Sequence, residues 1–380
     1  MRILLGIVIF IFLFVVSSVL LEIIWVPFVR ALTGQKPIPP ELLAARRSNR
    51  ETLKGLPKKF KWVRTDGEQL ELKRLFTENF RAGNFDELER IAAQFRCSMS
   101  RTKEGRLKLI LFYVGIEDLI ENKVQNNGDF DSFKQVKEWI AQKPQSVAAH
   151  TVLARILIKK AWQRRGSGHA SSVSDEGWMG TKKYLNEAKD VLEKAAKLKD
   201  KDPVMYNDWA SVGRGLGWST EERMVRFKEG QKLFPHYYTI YQSEAGTRLP
   251  RWGGSKEDVA DFALTWSKKV GGDEGLLLYF WVVDRIRRYF GHALIVDGRV
   301  IPFDNERLTK GAWILVKKYP CLRNFARVSH YAVRLKNREL TKFCLEGMGN
   351  SYPSAFYSKL STFAAYRRWA LMDGSYPFGS

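Results

Sequence analysis

The chain has 380 residues, with 63 Lys plus Arg against 41 Asp plus Glu for a formal charge of +22, 45% hydrophobic residues, 13 Pro and 3 Cys. That mixture excludes a collagen, a disulfide-stapled miniprotein and a disordered tail. With an apolar N-terminus set aside, about 340 residues remain, more than one compact domain of ~100 to 150 residues holds, so two domains or a repeat array is expected.

From Ile3 to Leu21, 19 residues carry no charge, and apolar character resumes at Ile23, Ile24, Trp25 and Val26. A helix needs about 20 apolar residues to cross a ~30 Å hydrocarbon core. A secretory signal would have a shorter apolar region and a small-x-small cleavage site, and neither is evident. A retained transmembrane helix is therefore expected, with Trp25 at the interface and Pro27 ending it. Arg2 precedes the span, while Arg30, Lys36, Arg46 and Arg47 follow it, so the positive-inside rule leans toward a cytoplasmic body. Cys97, Cys321 and Cys344 are odd in number and lack metal or redox spacing; they read as small core hydrophobes.

The organisation expected is an anchor over residues 1–30, a basic linker over 31–66 containing Pro37, Pro39, Pro40 and Pro57, a helical domain over 67–350 and an aromatic tail over 351–380. In the helical domain, Leu70, Leu72, Leu75, Phe76 and Phe80 recur at helical spacing; a break at Ala82, Gly83 and Asn84 follows; then come Phe85, Leu88, Ile91, Ala92 and Phe95. That is a helix, a turn and a second helix, with Asp86 and Glu87 suited to the second helix's N-terminal dipole. Similar pairs are expected with first helices near 107–120, 147–162, 203–216, 237–249, 274–290 and 322–335. Their partners fall near 130–140, 182–198, 221–233, 256–270, 305–318 and 339–348. Residues 293–302, around Asp297 and Gly298, suggest a loop or β-hairpin inserted among them.

Pro203 and Pro235 lie 32 residues apart, and Pro144, Pro235 and Pro320 each follow the end of a helical segment. Tetratricopeptide repeats are 34-residue helix pairs with a Pro near the end of the second helix. The fold class expected is therefore all-α, a transmembrane helix followed by a tetratricopeptide-like array of about six or seven hairpins with degenerate repeats. A bundle of two non-repeating helical domains is the alternative. In the array each hairpin buries its apolar face on its neighbours.

Four segments are more specific than the period: RTKEGRLKLILFY (Arg101 to Tyr113), AWQRRGSGHASSVSDEGW (Ala161 to Trp178), LPRWGG (Leu249 to Gly254) and GGDEG (Gly271 to Gly275). In this order they resemble a family of uncharacterised bacterial proteins with a helical domain of unknown function related to tetratricopeptide arrays, over about Leu70 to Met348. The resemblance implies a bacterial source, which would place the expected anchor in the bacterial inner membrane, and an all-α fold, and brings no activity or ligand with it.

The Ala161 to Trp178 segment, read as an insertion, places Arg165 and His169 near Trp178. Paired arginines followed by glycines can cradle an anion, or the glycines cap a helix while Trp178 fills a groove. In LPRWGG, Pro250 stops a helix and the glycines turn the chain, leaving Arg251 and Trp252 at a hairpin tip. They are either an exposed hot spot or a Trp folded onto the core with Arg stacked over it. The glycines of GRGLG (Gly213 to Gly217) follow a helical pattern, not the strand a phosphate loop needs, and are read as close helix contacts. No metal-ligand spacing, nucleophile elbow or cofactor motif is present among the five scattered histidines and the acidic pairs.

From residue 37 onward the chain carries a net +20, a field that attracts polyanions. An anionic lipid surface is one partner of that kind; nucleic acid lacks a known binding module here and is not expected. The function expected is a non-enzymatic interaction scaffold that binds a protein or peptide, with an enzyme site in residues 161–178, or a basic module for lipid or nucleic acid, as the alternatives.

Overall fold

The computed structural model describes residue 56 and residues 61–63, 67–121, 131–166, 168, 170–290, 301–372 and 374–378. The chain divides into two compact units, residues 59–356 and residues 1–58 with 357–380. Among the described residues there are 15 α-helices and two two-residue strands, so the fold is all-α.

In the larger unit the helices are α1 (Gly67–Ala82), α2 (Phe85–Ser98), α3 (Lys108–Glu121), α4 (Ser132–Gln142), α5 (Val147–Arg165), α6 (Asp175–Lys197) and α7 (Pro203–Leu216). They continue as α8 (Thr220–Leu233), α9 (Tyr238–Thr247), α10 (Lys256–Val270), α11 (Gly272–Phe290), α12 (Asn305–Lys318), α13 (Leu322–Arg334) and α14 (Arg338–Met348). Their starts are set by side-chain caps. Ser146, Ser174, Asp202, Ser255, Asp304 and Asn337 each accept from a backbone amide in the first turn. Ser219 and Glu222 form a reciprocal capping box.

Three helix ends repeat the same geometry. Lys143, Phe234 and Tyr319, each before a proline, have φ near −130° and ψ of 69°, 62° and 67°. A following proline disfavours the helical region, so the chain leaves α4, α8 and α12 with the same turn, and two or three residues separate that turn from the next helix. The hairpin period seen in the sequence thus has a backbone counterpart.

Helices α5 and α6, α7 and α8, α9 and α10, α11 and α12, and α13 and α14 pack as pairs, and α1 packs on α2. The pair expected from residues 107–120 and 130–140 is different. Helix α4 packs on α5 and reaches back to α1, and its Trp139 ring stacks on Phe85, at the start of α2, at 5.7 Å with an interplanar angle of 2°. The odd-numbered helices α1, α3, α5, α7, α9 and α11 each pack on the next odd one, which makes them a continuous inner layer in the manner of a stacked-hairpin solenoid. Gly215 lets that layer meet α6: a Cβ there would lie 2.3 Å from Leu185 Cδ1. GRGLG is therefore a packing and capping element, as its sequence context suggests.

The array also closes on itself. The turn between α2 and α3, pinned by the Arg101–Leu107 bridge, is met by α13, where the Asn324 amide donates to the Glu104 carbonyl at 3.1 Å and Arg323 lies 3.7 Å from the Glu104 carboxylate. Gly105, at φ +80°, leaves room for the Tyr319 ring, which a Cβ would meet at 2.7 Å. On its other side Arg101 donates to the His236 carbonyl at 3.0 Å. Strands β1 (Lys61–Trp62) and β2 (Ser351–Tyr352) pair in parallel and join the two ends of the array.

Several expectations are corrected. Among the described residues no helix is long and apolar enough to cross a membrane, so the fold class the structure supports is all-α over those residues, and the expected transmembrane helix is not part of it. The span expected over residues 3–21, on which the inner-membrane placement rested, lies outside the described residues, as do the linker prolines and the loop over residues 291–300. The insertion expected over 161–178 shrinks to a short connection, because α5 continues to Arg165 and α6 begins at Asp175 under its Ser174 cap. Of the cysteines only Cys344 is core; Cys97 is exposed. The aromatic tail contains α15 (Leu360–Leu371), with Tyr357 packed edge-on against Phe363 and Trp369 against Tyr376.

Candidate functional site: a cationic inner cavity

The inner layer encloses a cavity of about 500 Å³, within the range of roughly 300 to 1,000 Å³ typical of ligand pockets. Five helices line it with one face each: Ile110, Val114 and Glu117 on α3, Arg155, Lys159 and Trp162 on α5, and Asn207, Ser211 and Arg214 on α7. Helix α9 contributes Tyr238 and Gln242, and α11 contributes Trp281, Asp284, Arg285 and Arg288. The spacings are three and four, the stripe that a helix presents to one side. Seven of the lining residues are basic and three acidic.

At one end the charges are paired. Arg155 lies 2.9 Å from Glu117 and 3.1 Å from Asp208, joining α3, α5 and α7. Burial pushes the Asp208 carboxyl up to about 7, opposed by Arg155 and reinforced by Asp202 and Glu117. Asp208 Oδ2 is buried without a hydrogen-bond partner among the described residues, as a protonated carboxyl would tolerate better than a charged one. Nearby, the Asn207 amide donates to Thr239 at 3.0 Å, and Gln242 donates to the Trp281 carbonyl at 2.7 Å.

Toward α13 a second carboxylate is fully committed. Asp284 accepts from the Tyr331 hydroxyl at 2.9 Å and lies 3.6 Å from Arg327 and 3.4 Å from Arg287. Burial alone would raise its pKa; Arg327, Arg287 and Arg288 outweigh that and hold the carboxyl below its usual range. Within the α2–α3 turn, Arg106 donates to the Gln69 amide at 3.0 Å, not to a carboxylate. Burial first, then the positive charges of Arg327, Arg288 and Arg323, push Arg106 down to about 10. Arg288 is lowered too, by burial and by Arg285, Arg327 and Arg287, against Asp284.

The residues singled out in the sequence meet at the other rim. Arg165 lies over the rings of Trp178 and Trp252, at 5.5 and 5.7 Å. Arg214 lies over Trp252 and Trp162, both at 4.8 Å, and Trp162 and Trp252 meet edge-on at 5.9 Å. Arg251 covers the Tyr289 ring at 4.1 Å. Arg165, Trp178, Arg251 and Trp252 therefore belong to one ladder of alternating guanidinium and aromatic rings, while His169 lies outside the described residues. Arg165 also donates to the Gly166 and Gly168 carbonyls at 3.3 and 3.0 Å, so part of its fork holds the connection after α5. Trp252 is half-buried in a single 3₁₀ turn, Pro250–Trp252, with Arg stacked over it, the second of the two arrangements considered for this tip.

Sequence reasoning passed over Arg155, Asp208, Arg285 and Arg288. The signal was present in α11, where Asp284, Arg285, Arg287 and Arg288 interrupt a run of Leu, Tyr, Phe, Trp and Val. Charges on an otherwise apolar helix require either partners or a ligand. No group of His, Cys, Asp or Glu among the described residues could hold a metal ion.

Residues 73–207, from within α1 to within α7, match the family model described as "Domain of unknown function (DUF4034)". That stretch is less than half of the chain and supplies α3, α5 and part of α7 to the cavity wall. No curated protein and no solved structure matches the chain.

Proposed function

We propose that the chain is a non-enzymatic, helical-repeat binding protein whose inner cavity receives an acidic chain end or loop of a protein partner. The observation that carries this reading is the convergence of five inner helices on one cavity lined by seven basic and three acidic side chains. Arginine is the side chain best suited to carboxylates, because its planar fork donates two parallel hydrogen bonds. The cavity is enclosed by the contact of the α2–α3 turn with α13, so a compact insertion suits it better than the long extended segment an open groove would take. What supports an interaction scaffold is a lining dominated by guanidinium donors, side chains suited to binding an acidic partner.

The test is selection from a random peptide library on the full-length chain. Enriched peptides are expected to carry clustered Asp or Glu and to lose binding when Arg106 and Arg288 are replaced by Gln. Enrichment of neutral or basic peptides, or acidic peptides indifferent to both substitutions, contradicts it.

A further inference from the structure

The pairing of charges in the cavity leaves one region unbalanced. Arg106, Arg285 and Arg288 line it, and among the described residues none has a carboxylate within ion-pair distance. Arg106 uses one amino group on Gln69, while Arg285 and Arg288 make no side-chain hydrogen bond among the described residues. The nearest carboxylates offset these charges in part, Glu104 acting on Arg106 and Asp284 on Arg288, but each also serves other partners. Glu104 is held by Gln69 at 2.6 Å and faces Arg323, and Asp284 is held by Tyr331, Arg327 and Arg287. Like charges in one wall repel; the downward shifts of Arg106 and Arg288 come first from burial, and the neighbouring arginines add to them. An anion placed among the arginines reverses that repulsion.

We propose that this end of the cavity is a subsite for a phosphoryl group, met by the guanidinium forks of Arg106 and Arg288 with Arg285 beside them. The inference deepens the reading above and rests on its assignment of the cavity as the binding site. A phosphoryl group fits better than one carboxylate because it carries about −1.5 to −2 charges and three acceptor oxygens, against three guanidiniums with donors to spare. Arg meets phosphate with two parallel hydrogen bonds where Lys offers only a point charge. A free phosphate ester and a phosphorylated side chain on an inserted partner loop present the same chemistry.

The test uses the full-length chain, with melting temperature and titration calorimetry against inorganic phosphate, against chloride at matched ionic strength, and against two acidic peptides that differ only in phosphoserine or Glu at one position. Phosphate is expected to raise the melting temperature saturably and chloride not to. Arg106→Gln and Arg288→Gln should each weaken phosphate binding about tenfold or more, with Arg288→Lys falling between. Lys228→Ala with Lys232→Ala, exposed on α8, removes two charges and should leave binding within about twofold. Without phosphate, both Gln variants should melt at or above the wild-type temperature, because repulsion is relieved; this separates lost binding from lost fold. No saturable phosphate effect, or equal binding by the Gln variants, overturns the subsite. If the Glu peptide then still binds in the cavity, the acidic-partner reading survives alone. If phosphate binds through Arg106 and Arg288 while neither peptide binds, the subsite holds and the protein-partner reading falls.

Discussion

At one end of the inner cavity Arg155 bridges Glu117 and Asp208 and ties three helices together, whereas at the other Arg106, Arg285 and Arg288 stand without a carboxylate within ion-pair distance among the described residues. The same side chain serves two purposes. Where each cation has its anion, removal leaves buried charge behind, and the residue belongs to the fold. Where cations gather without an ion-paired anion, a bound anion relieves their repulsion, and the residue belongs to function.

The largest expected effect lies at the paired end. Arg155→Ala strands Asp208 and Glu117, and should destabilise by about 3 to 5 kcal/mol in chemical denaturation, as breaking a buried pair does. Arg288→Ala, at the unpaired end, should stay within about 0.5 kcal/mol of wild type or rise above it. Equal losses from both would erase the contrast between the two ends.

Next is a pH dependence confined to the paired end. Asp208 is raised in the folded state from 3.8 to about 7, so the folded chain holds this proton more tightly than the unfolded one. Its contribution is complete below about pH 4 and is lost as pH rises through 7. Relative to Asp208→Asn, the wild type should lose up to about 4 kcal/mol over that interval. Parallel stability profiles for the two proteins would show that Asp208 is ionised throughout.

The arginine–tryptophan ladder sharpens the comparison from the rim. Trp252→Ala removes a half-buried ring covered by Arg165 and Arg214 and should lower stability by about 1 to 3 kcal/mol, less than a fully buried Trp. The smallest effect is expected for Arg251→Ala, an exposed guanidinium over Tyr289, at about 0.5 kcal/mol or less in the same melts.

The helices and their pairing were largely legible because apolar residues at spacings of three and four, capping Ser and Asp residues, and prolines after Lys143, Phe234 and Tyr319 are all local signals. Closure of the array was not. It depends on Glu104, Gly105, Tyr319, Arg323 and Asn324 meeting across more than 200 residues, and nothing within either segment announces the other. The segment after α5 looked longer than it is, since glycines at 166, 168 and 177 read as loop although the Ser174 cap starts α6 at Asp175. Arg165, Trp178, Arg251 and Trp252 were noticed for their residue types, and their common ladder is a tertiary fact. The site itself was the least visible part: one residue from each of several helices forms the cavity, and a single stripe such as Arg155, Lys159 and Trp162 looks like any solvated helix face.

The most direct measurement is anomalous diffraction from crystals of the full-length chain soaked in tungstate, a tetrahedral doubly charged stand-in for phosphate. The account predicts a peak in the inner cavity within hydrogen-bonding reach of Arg106 and Arg288, lost in the Arg288→Gln variant. A cavity without a peak, or a peak that survives that substitution, would contradict it.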